Sequence, residues 1–121
     1  MEIFIKGVNV DKGLASARGR LKSYVKFLEV FCREGTEKHD NIEASVADKD
    51  ILLYTTYAHG LKSASHIIGA DEFSNTAEML EIAGNNGDWD YIHAHNEKFL
   101  TELKTLVENV NKAIPELSKH I

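Results

Sequence analysis

Apolar residues recur every three or four positions along most of the chain, and this spacing most constrains the fold. Over residues 18–33 the recurring positions are Leu21, Tyr24, Val25, Leu28, Phe31 and Cys32. Such spacing gathers apolar side chains on one stripe of a helix rather than on one face of a strand. One proline and eight glycines in 121 residues are too few for a turn-rich β fold. The spacing therefore predicts an all-α protein.

Helix stops divide the first half of the chain. An extended tail is predicted over residues 1–6, and one or two helical turns over residues 11–17. The helix over residues 18–33 is predicted to stop at Gly35, a residue that suits a left-handed C-cap. A weaker helix with sparse apolar positions then runs to Ala47.

Caps and breakers divide the second half in the same way. Asp48 or Asp50 is predicted to cap a long helix that Gly69 ends. Another helix begins at Asp71 and stops at the Gly-Asn-Asn-Gly breaker over residues 84–87.

Asp88 is predicted to cap a final helix, which Pro115 interrupts or ends. Amphipathic helices joined by short loops bury their stripes against one another. We therefore expect an antiparallel four-helix bundle (up-down-up-down) with additional short N-terminal helices. The chain shows no repeat and no linker, so residues 1–121 are predicted to form a single domain.

The helix predicted over residues 52–68 has two contrasting faces. At about 100° per residue, the core seam comprises Leu53, Tyr57, Leu61, Ala64 and Ile68. The opposite face comprises Leu52, Thr55, Thr56, His59, Lys62, Ser63 and His66. This face has no carboxylate, although the chain carries a net charge of −5. His59 is thus predicted at the centre of an exposed basic strip, where Gly60 and Ser63 leave low relief.

A hairpin about residues 69–70 brings a second helix beside this face. Residues whose numbers sum to about 140 then lie level, which pairs His59 with Glu81 and Lys62 with Glu78. A carboxylate that accepts a hydrogen bond from one ring nitrogen leaves the other nitrogen free as a nucleophile. The arrangement fits a reactive imidazole and, equally, an ordinary surface histidine.

The sequence AHGLKSA over residues 58–64, followed by IGA over 68–70, resembles the signature of histidine-containing phosphotransfer (HPt) domains. That signature is His-x-x-Lys-Gly-[Ser/Ala], with a glycine closing the helix. EMLEIA over residues 78–83 and NGD over 86–88 are similar to the family's leucine-glutamate helix and Gly-Asp turn, and VDKGL over 10–14 to its opening segment. The likeness covers about residues 8–110. One departure is Ser63, which stands where the family usually has glycine.

The resemblance implies a phosphohistidine carrier that passes phosphoryl groups between receiver-domain aspartates in a His–Asp multistep phosphorelay. It implies that His59 is the phosphoacceptor, that Lys62 stabilises charge on the phosphoryl group, and that Glu81 orients His59. The carrier has no ATP-dependent kinase activity of its own. No cofactor is expected in this chain, because the receiver domain supplies the divalent metal. The predicted partner-binding residues are Leu52, Thr55, Thr56, Gly60, Ser63 and His66.

Two other functions fit the same residues. A non-phosphorylated helical adaptor (pseudo-HPt) would bind a receiver domain or kinase through the same face. A metal-binding bundle would use His59, His66 and Glu81 as ligands. The sequence GADEF over residues 69–73 is one letter from a diguanylate cyclase signature, but that motif needs a β-hairpin in a longer α/β domain.

Charge and composition narrow the partners and the compartment. The net charge of −5 disfavours nucleic acid. No stretch approaches the roughly 18 apolar residues of a membrane span, and the N-terminus lacks a signal-peptide pattern. Cys32 lies in an apolar run and is predicted to be a buried, inert thiol. We expect a cytoplasmic monomer that binds neither nucleic acid nor membrane.

Overall fold

The structure is a computed structural model that describes residues 3–121. Within this range five helices form: α1 (Val10–Ser16), α2 (Leu21–Ala47), α3 (Ile51–Ile68), α4 (Asp71–Asn85) and α5 (Trp89–Ser118). Over the same residues no strand forms, and an isolated bridge joins Ile5 to Val8. The predicted all-α class is confirmed. Of the tail predicted over residues 1–6, residues 1 and 2 lie outside the described range, and residues 3 and 4 are neither helix nor strand.

The helix stop predicted at Gly35 is wrong, because α2 runs unbroken from Leu21 to Ala47. Gly35 is buried against α5, where an added Cβ would lie 2.7 Å from Cγ2 of Val107. The glycine therefore lets two helices approach closely instead of ending one. Packing against α5 compensates for its low helix propensity, which costs about 1 kcal/mol relative to alanine.

The end predicted at Pro115 is also wrong. α5 continues through this proline to Ser118. Leu117, two residues further on, is fully buried in the core. Burial of a leucine side chain is worth about 1.5–3 kcal/mol, enough to hold the last turn in place although the proline removes one helical hydrogen bond.

The predicted caps at the other helix ends are confirmed. Asp50, not Asp48, is the N-cap of α3, and its carboxylate accepts a hydrogen bond from the Leu53 amide at 3.1 Å. Asp88 caps α5 in the same way, at 3.0 Å from the Tyr91 amide. Gly69 ends α3 with φ at 92°, a left-handed conformation that favours glycine.

α2, α3, α4 and α5 pack in a closed ring, in which each helix contacts the next and α5 returns to α2. Tyr24 at the start of α2 donates to the Ile68 carbonyl at the end of α3, at 2.8 Å. Further along α2, Lys38 lies against Gly60. Between these two contacts the residue numbers rise along α2 and fall along α3, so α2 and α3 are antiparallel. α1 packs across the end of α3, where the Asn9 amide donates to the Gly69 carbonyl at 2.9 Å.

The core face of α3 differs from the predicted seam. Its buried residues are Tyr54, Ala58, Leu61, Ser65 and Ile68. The prediction was right for Leu61 and Ile68, but Leu53 is exposed. Tyr54 takes the inward position because its hydroxyl finds a buried acceptor, Oδ1 of Asn96, at 2.9 Å. Among the described residues, no helix combines the length and the apolar character needed to cross a membrane.

Candidate functional site

His59 projects from the middle of α3 into solvent. Its neighbours in the helix, Ala58 and Leu61, are fully buried. Because successive residues turn by about 100°, burial of these two positions directs residue 59 outward. The His59 side chain is 59% exposed. The structure thus presents an imidazole from the same helix that fills the core.

Glu81 on α4 bridges His59 and Lys62. Its Oε2 lies 2.6 Å from Nδ1 of His59, and its Oε1 lies 2.7 Å from Nζ of Lys62. Lys62 therefore forms its ion pair with Glu81 and not with Glu78, the residue predicted to lie level with it. Lys62 lies near the level of Glu78 and about one turn from that of Glu81, but its long, flexible side chain reaches the more buried carboxylate, which is 15% exposed.

Charge in this cluster is set by the shared carboxylate. Burial works to raise the pKa of Glu81, but the hydrogen bonds from Lys62 and His59 outweigh burial and lower it. The hydrogen bond to Glu81 raises the pKa of Lys62. Glu81 is therefore ionised at neutral pH and only accepts hydrogen bonds. His59 must donate through Nδ1–H, which leaves Nε2 of the neutral ring with a free lone pair.

Close contact between α3 and α4 holds the carboxylate in place. Gly84 packs against Thr55 so tightly that an added Cβ would lie 2.0 Å from its Oγ1. Near the other end of the contact, the Ser74 hydroxyl donates to the Lys62 carbonyl at 3.0 Å. Gly84 was predicted to be part of a helix breaker, but it lies inside α4 and fixes the distance between the two helices.

The remaining predicted contact residues surround His59 on α3. Leu52, Thr56, Ser63 and His66 are exposed, whereas Thr55 and Gly60 are half-buried. Nδ1 of His66 lies 3.6 Å from Oδ1 of Asp71 at the start of α4. Glu81 is bound to Lys62, and His66 lies beside a different carboxylate. The structure therefore does not gather His59, His66 and Glu81 into the set that a metal-binding bundle would need.

Within the described range, the group of three side chains close enough to share a metal ion is His39, Asp40 and Glu43, on α2. His39 and Asp40 line a groove between α2 and α5, a region that does not include His59. At His59, both oxygens of Glu81 are already engaged, one by His59 and the other by Lys62.

Sequence patterns did not indicate three charged residues that lie along this face: Lys12, Lys38 and Asp71. Lys12 binds Asp71 at 2.5 Å, and Lys38 lies over Gly60. The stop predicted at Gly35 separated Lys38 from α2 and removed its register with α3. The available signal was the helical spacing of Cys32, Gly35 and Ile42, all of which are buried in one continuous helix.

One comparison with known proteins gives a match. A family model described as Hpt domain matches residues 26–113, which include α3, α4 and most of α2 and α5. No curated protein matches the chain, and no solved structure does. The match spans well over half of the chain and includes His59 and its surroundings. The chain therefore belongs to the Hpt domain family.

Proposed function

We propose that this protein is a phosphohistidine carrier, which accepts a phosphoryl group on Nε2 of His59 from one receiver-domain aspartate and donates it to another. Family membership supports the coarser statement that the chain takes part in a His–Asp phosphorelay, as a carrier and not as a kinase. The observation that carries the finer proposal is the 2.6 Å contact between Nδ1 of His59 and Glu81. It leaves the exposed Nε2 free to attack.

The transfer step uses few groups of this chain. Nε2 attacks the phosphorus of an aspartyl phosphate in line; the N–P bond forms, the P–O bond to the aspartate breaks, and the carboxylate leaves. The transition state is loose, so positioning and charge stabilisation dominate its energy. Glu81 orients the ring and stabilises the positive charge that develops on it. Lys62, one turn along α3, stabilises charge on the phosphoryl oxygens.

The surface around His59 suits docking of a receiver domain. Leu52 is exposed and apolar, while Thr56, Gly60 and Ser63 keep the relief low. A buried apolar contact ringed by small polar residues is typical of protein interfaces. The receiver supplies the divalent metal and most of the donors to the phosphoryl group. The Ser63 hydroxyl, in place of the family glycine, adds a further donor at the rim.

A second candidate function is a pseudo-HPt adaptor, which binds a receiver or a kinase without being phosphorylated. It is favoured by one observation: the Lys62 ammonium is already bound to Glu81, whereas a carrier needs that charge at the phosphoryl group. In either function we propose a cytoplasmic monomer that binds neither nucleic acid nor membrane, in keeping with the net charge of −5.

Phosphotransfer from a radiolabelled, phosphorylated receiver domain separates the two functions. The wild-type protein should become labelled, and His59→Gln should remain unlabelled. His93→Gln is the matched control, because it removes an exposed histidine from α5, outside the predicted contact residues, and it should be labelled as the wild type is. Equal labelling of His59→Gln would remove His59 from the role. Tight binding of the receiver without any labelling of the wild type would establish the adaptor.

A further inference from the structure

A lysine from α2 lies against Gly60, the residue that follows His59 on α3, whereas Glu81 contacts His59 from α4. A Cβ placed on Gly60 would lie 2.9 Å from Cε of Lys38 and 3.6 Å from its Nζ. The end of the Lys38 side chain therefore occupies the space that any larger residue at position 60 would fill. This side chain is only 20% exposed, a low value for a lysine.

The ammonium of Lys38 lies within reach of a group on His59. Cα atoms of consecutive residues are separated by about 3.8 Å, and Gly60 follows His59 directly. On the helical wheel Ser63 falls between these two positions, so only small side chains lie along the path. The four-carbon stem of a lysine lets its ammonium move by several ångströms.

Lys38 has one carboxylate partner, Glu34, one turn earlier on α2. The hydrogen bond from Lys38 is the main cause that lowers the pKa of Glu34, so Glu34 is ionised and holds the lysine in its present position. Lys62 is held by Glu81 in the same manner on the α4 side. His59 thus lies between two lysines from neighbouring parts of the ring, each bound to a carboxylate.

We propose that Lys38 is a second phosphoryl-binding residue, which together with Lys62 holds the phosphoryl group of phosphorylated His59 between two ammonium ions. A phosphoryl group carries about −1.5 to −2 charges at neutral pH. Lys62 by itself does not balance this charge, because its ammonium is already paired with Glu81. Glu34 keeps Lys38 at the site while His59 is unmodified. No bond of Lys38 changes during transfer. This inference rests on the proposed function of His59.

Phosphorylation by phosphoramidate tests the inference without a partner protein. In that reaction the donor P–N bond breaks, ammonia leaves and the Nε2–P bond forms. A 31P NMR titration then measures the second ionisation of the phosphoryl group. Lys38→Met should raise this pKa by about 0.5 units, since removing a nearby positive charge disfavours the dianion. Lys38→Arg should restore it, a rescue that a merely structural role of the methylene stem would not explain.

Two further variants should shift the phosphoryl pKa in opposite directions. Glu34→Gln frees Lys38 from its counter-ion and removes a negative charge, so the phosphoryl pKa should fall. Gly60→Ala displaces the lysine and should raise it. Lys98→Met is the matched control, because Lys98 is an exposed lysine on α5, and it should leave the titration unchanged.

The outcomes separate this inference from the proposed function. Labelled wild-type protein, with Lys38→Met titrating as Lys98→Met does, overturns the role of Lys38 and leaves that of His59 intact. Absence of label from the wild type, or label on a residue other than His59, overturns both. A shift in Lys38→Met that Lys38→Arg does not reverse also overturns the role of Lys38, because the charge is then not the cause.

Discussion

Two groups on the molecule each contain a histidine, a carboxylate and a lysine. They differ in how many hydrogen bonds the carboxylate makes. In each, a histidine of α3 faces a carboxylate of α4 that also binds a lysine: His59 with Glu81 and Lys62, and His66 with Asp71 and Lys12. In the first group, the His59 group, both carboxylate oxygens are bound. In the second, the His66 group, Oδ1 of Asp71 has no hydrogen-bond partner in the described part of the chain, and His66 is 3.6 Å away.

The difference follows from position along the helices. Glu81 lies in the middle of α4, where Gly84 brings α4 close to α3. The Glu81 side chain is only 15% exposed. Asp71 is the first residue of α4, next to the turn, and its side chain is 37% exposed. A separation of 3.6 Å is too long for a hydrogen bond. Residue types alone therefore do not fix the orientation of a histidine ring; a carboxylate held in place by packing does.

The largest expected effect comes from removing the carboxylate of Glu81, and removal of the Asp71 carboxylate is its counterpart in the His66 group. Glu81→Ala should slow phosphotransfer from a receiver by roughly 10- to 100-fold, the range found when orienting partners of metal-binding histidines are lost. Asp71→Ala should change the rate by less than about twofold, because no hydrogen bond to His66 is lost. Stopped-flow or quench measurements of labelled protein give both rates.

Glu81→Gln is the control for this comparison. Its amide oxygen still accepts the Nδ1–H bond, so it should retain more activity than Glu81→Ala. If the Asp71 and Glu81 alanine variants were equally slow, the distinction between the two groups would fail.

Two glycines allow the helix contacts behind each group to be disturbed separately. Gly84→Ala places a Cβ 2.0 Å from Thr55 Oγ1, and Gly69→Ala places one 2.1 Å from the Asn9 carbonyl at a φ of 92°. Overpacking of this kind costs about 1–3 kcal/mol, so chemical denaturation should show both variants to be destabilised. Only Gly84→Ala should slow transfer, because it separates Glu81 from α3.

A second substitution identifies the cause. Thr55→Ala removes the hydroxyl oxygen that the new Cβ would meet at 2.0 Å, and in the Gly84→Ala background it should recover much of the stability and of the transfer rate. Slow transfer in folded Gly69→Ala would show instead that the docking of α1 matters to His59.

Removing the lysine of each group should change the transfer rate by a smaller factor than removing Glu81 does. Lys62→Met should slow transfer by about fivefold to tenfold, since a charge near the phosphoryl oxygens contributes about 1–1.4 kcal/mol in a partly exposed site. Lys12→Met removes an exposed ion pair, worth about 0–1 kcal/mol of stability, and should leave transfer unchanged. Circular dichroism melts show whether each variant remains folded. Equal rates for Lys62→Met and the wild type would leave phosphoryl stabilisation to other groups.

Local patterns predicted the features that depend on neighbours in sequence. The caps at Asp50 and Asp88 follow from short side chains that accept amide protons of the next turn. The closeness of His59 and Glu81 follows from counting residues back from a two-residue turn. Each of these required knowledge of one helix or one hairpin.

Contacts between helices distant in sequence could not be predicted in this way. Gly35 continues a helix because of Val107, which is 72 residues away, and Leu117 keeps Pro115 inside α5 by reaching the core. Lys62 binds Glu81 and not Glu78 because of the reach of its side chain. Counting residues from the turn does not predict this reach. The role inferred for Lys38 depends on the α2–α3 contact and was therefore also hidden from the sequence.

The smallest expected effect is a dependence of the unfolding free energy on pH. It tests whether Lys62 and His59 hold Glu81 in its ionised form. Hydrogen bonds from Lys62 and His59 lower the pKa of Glu81 in the folded protein, while the unfolded chain has the ordinary value of about 4.3. A lowered carboxyl pKa contributes stability that is present above the unfolded value and is lost as the pH falls through the folded value. Between pH 7 and pH 3 the wild type should therefore lose about 1 kcal/mol more unfolding free energy than Glu81→Gln.

Urea denaturation of both proteins at the two pH values measures this difference. Lys62→Met should lie between them, because it removes the hydrogen bond that contributes most to lowering the Glu81 pKa and leaves the one from His59. Equal losses in the wild type and Glu81→Gln would mean that the carboxylate is not held ionised by its neighbours. The fixed tautomer of His59 would then have no support, because a protonated Glu81 would not require Nδ1 to donate.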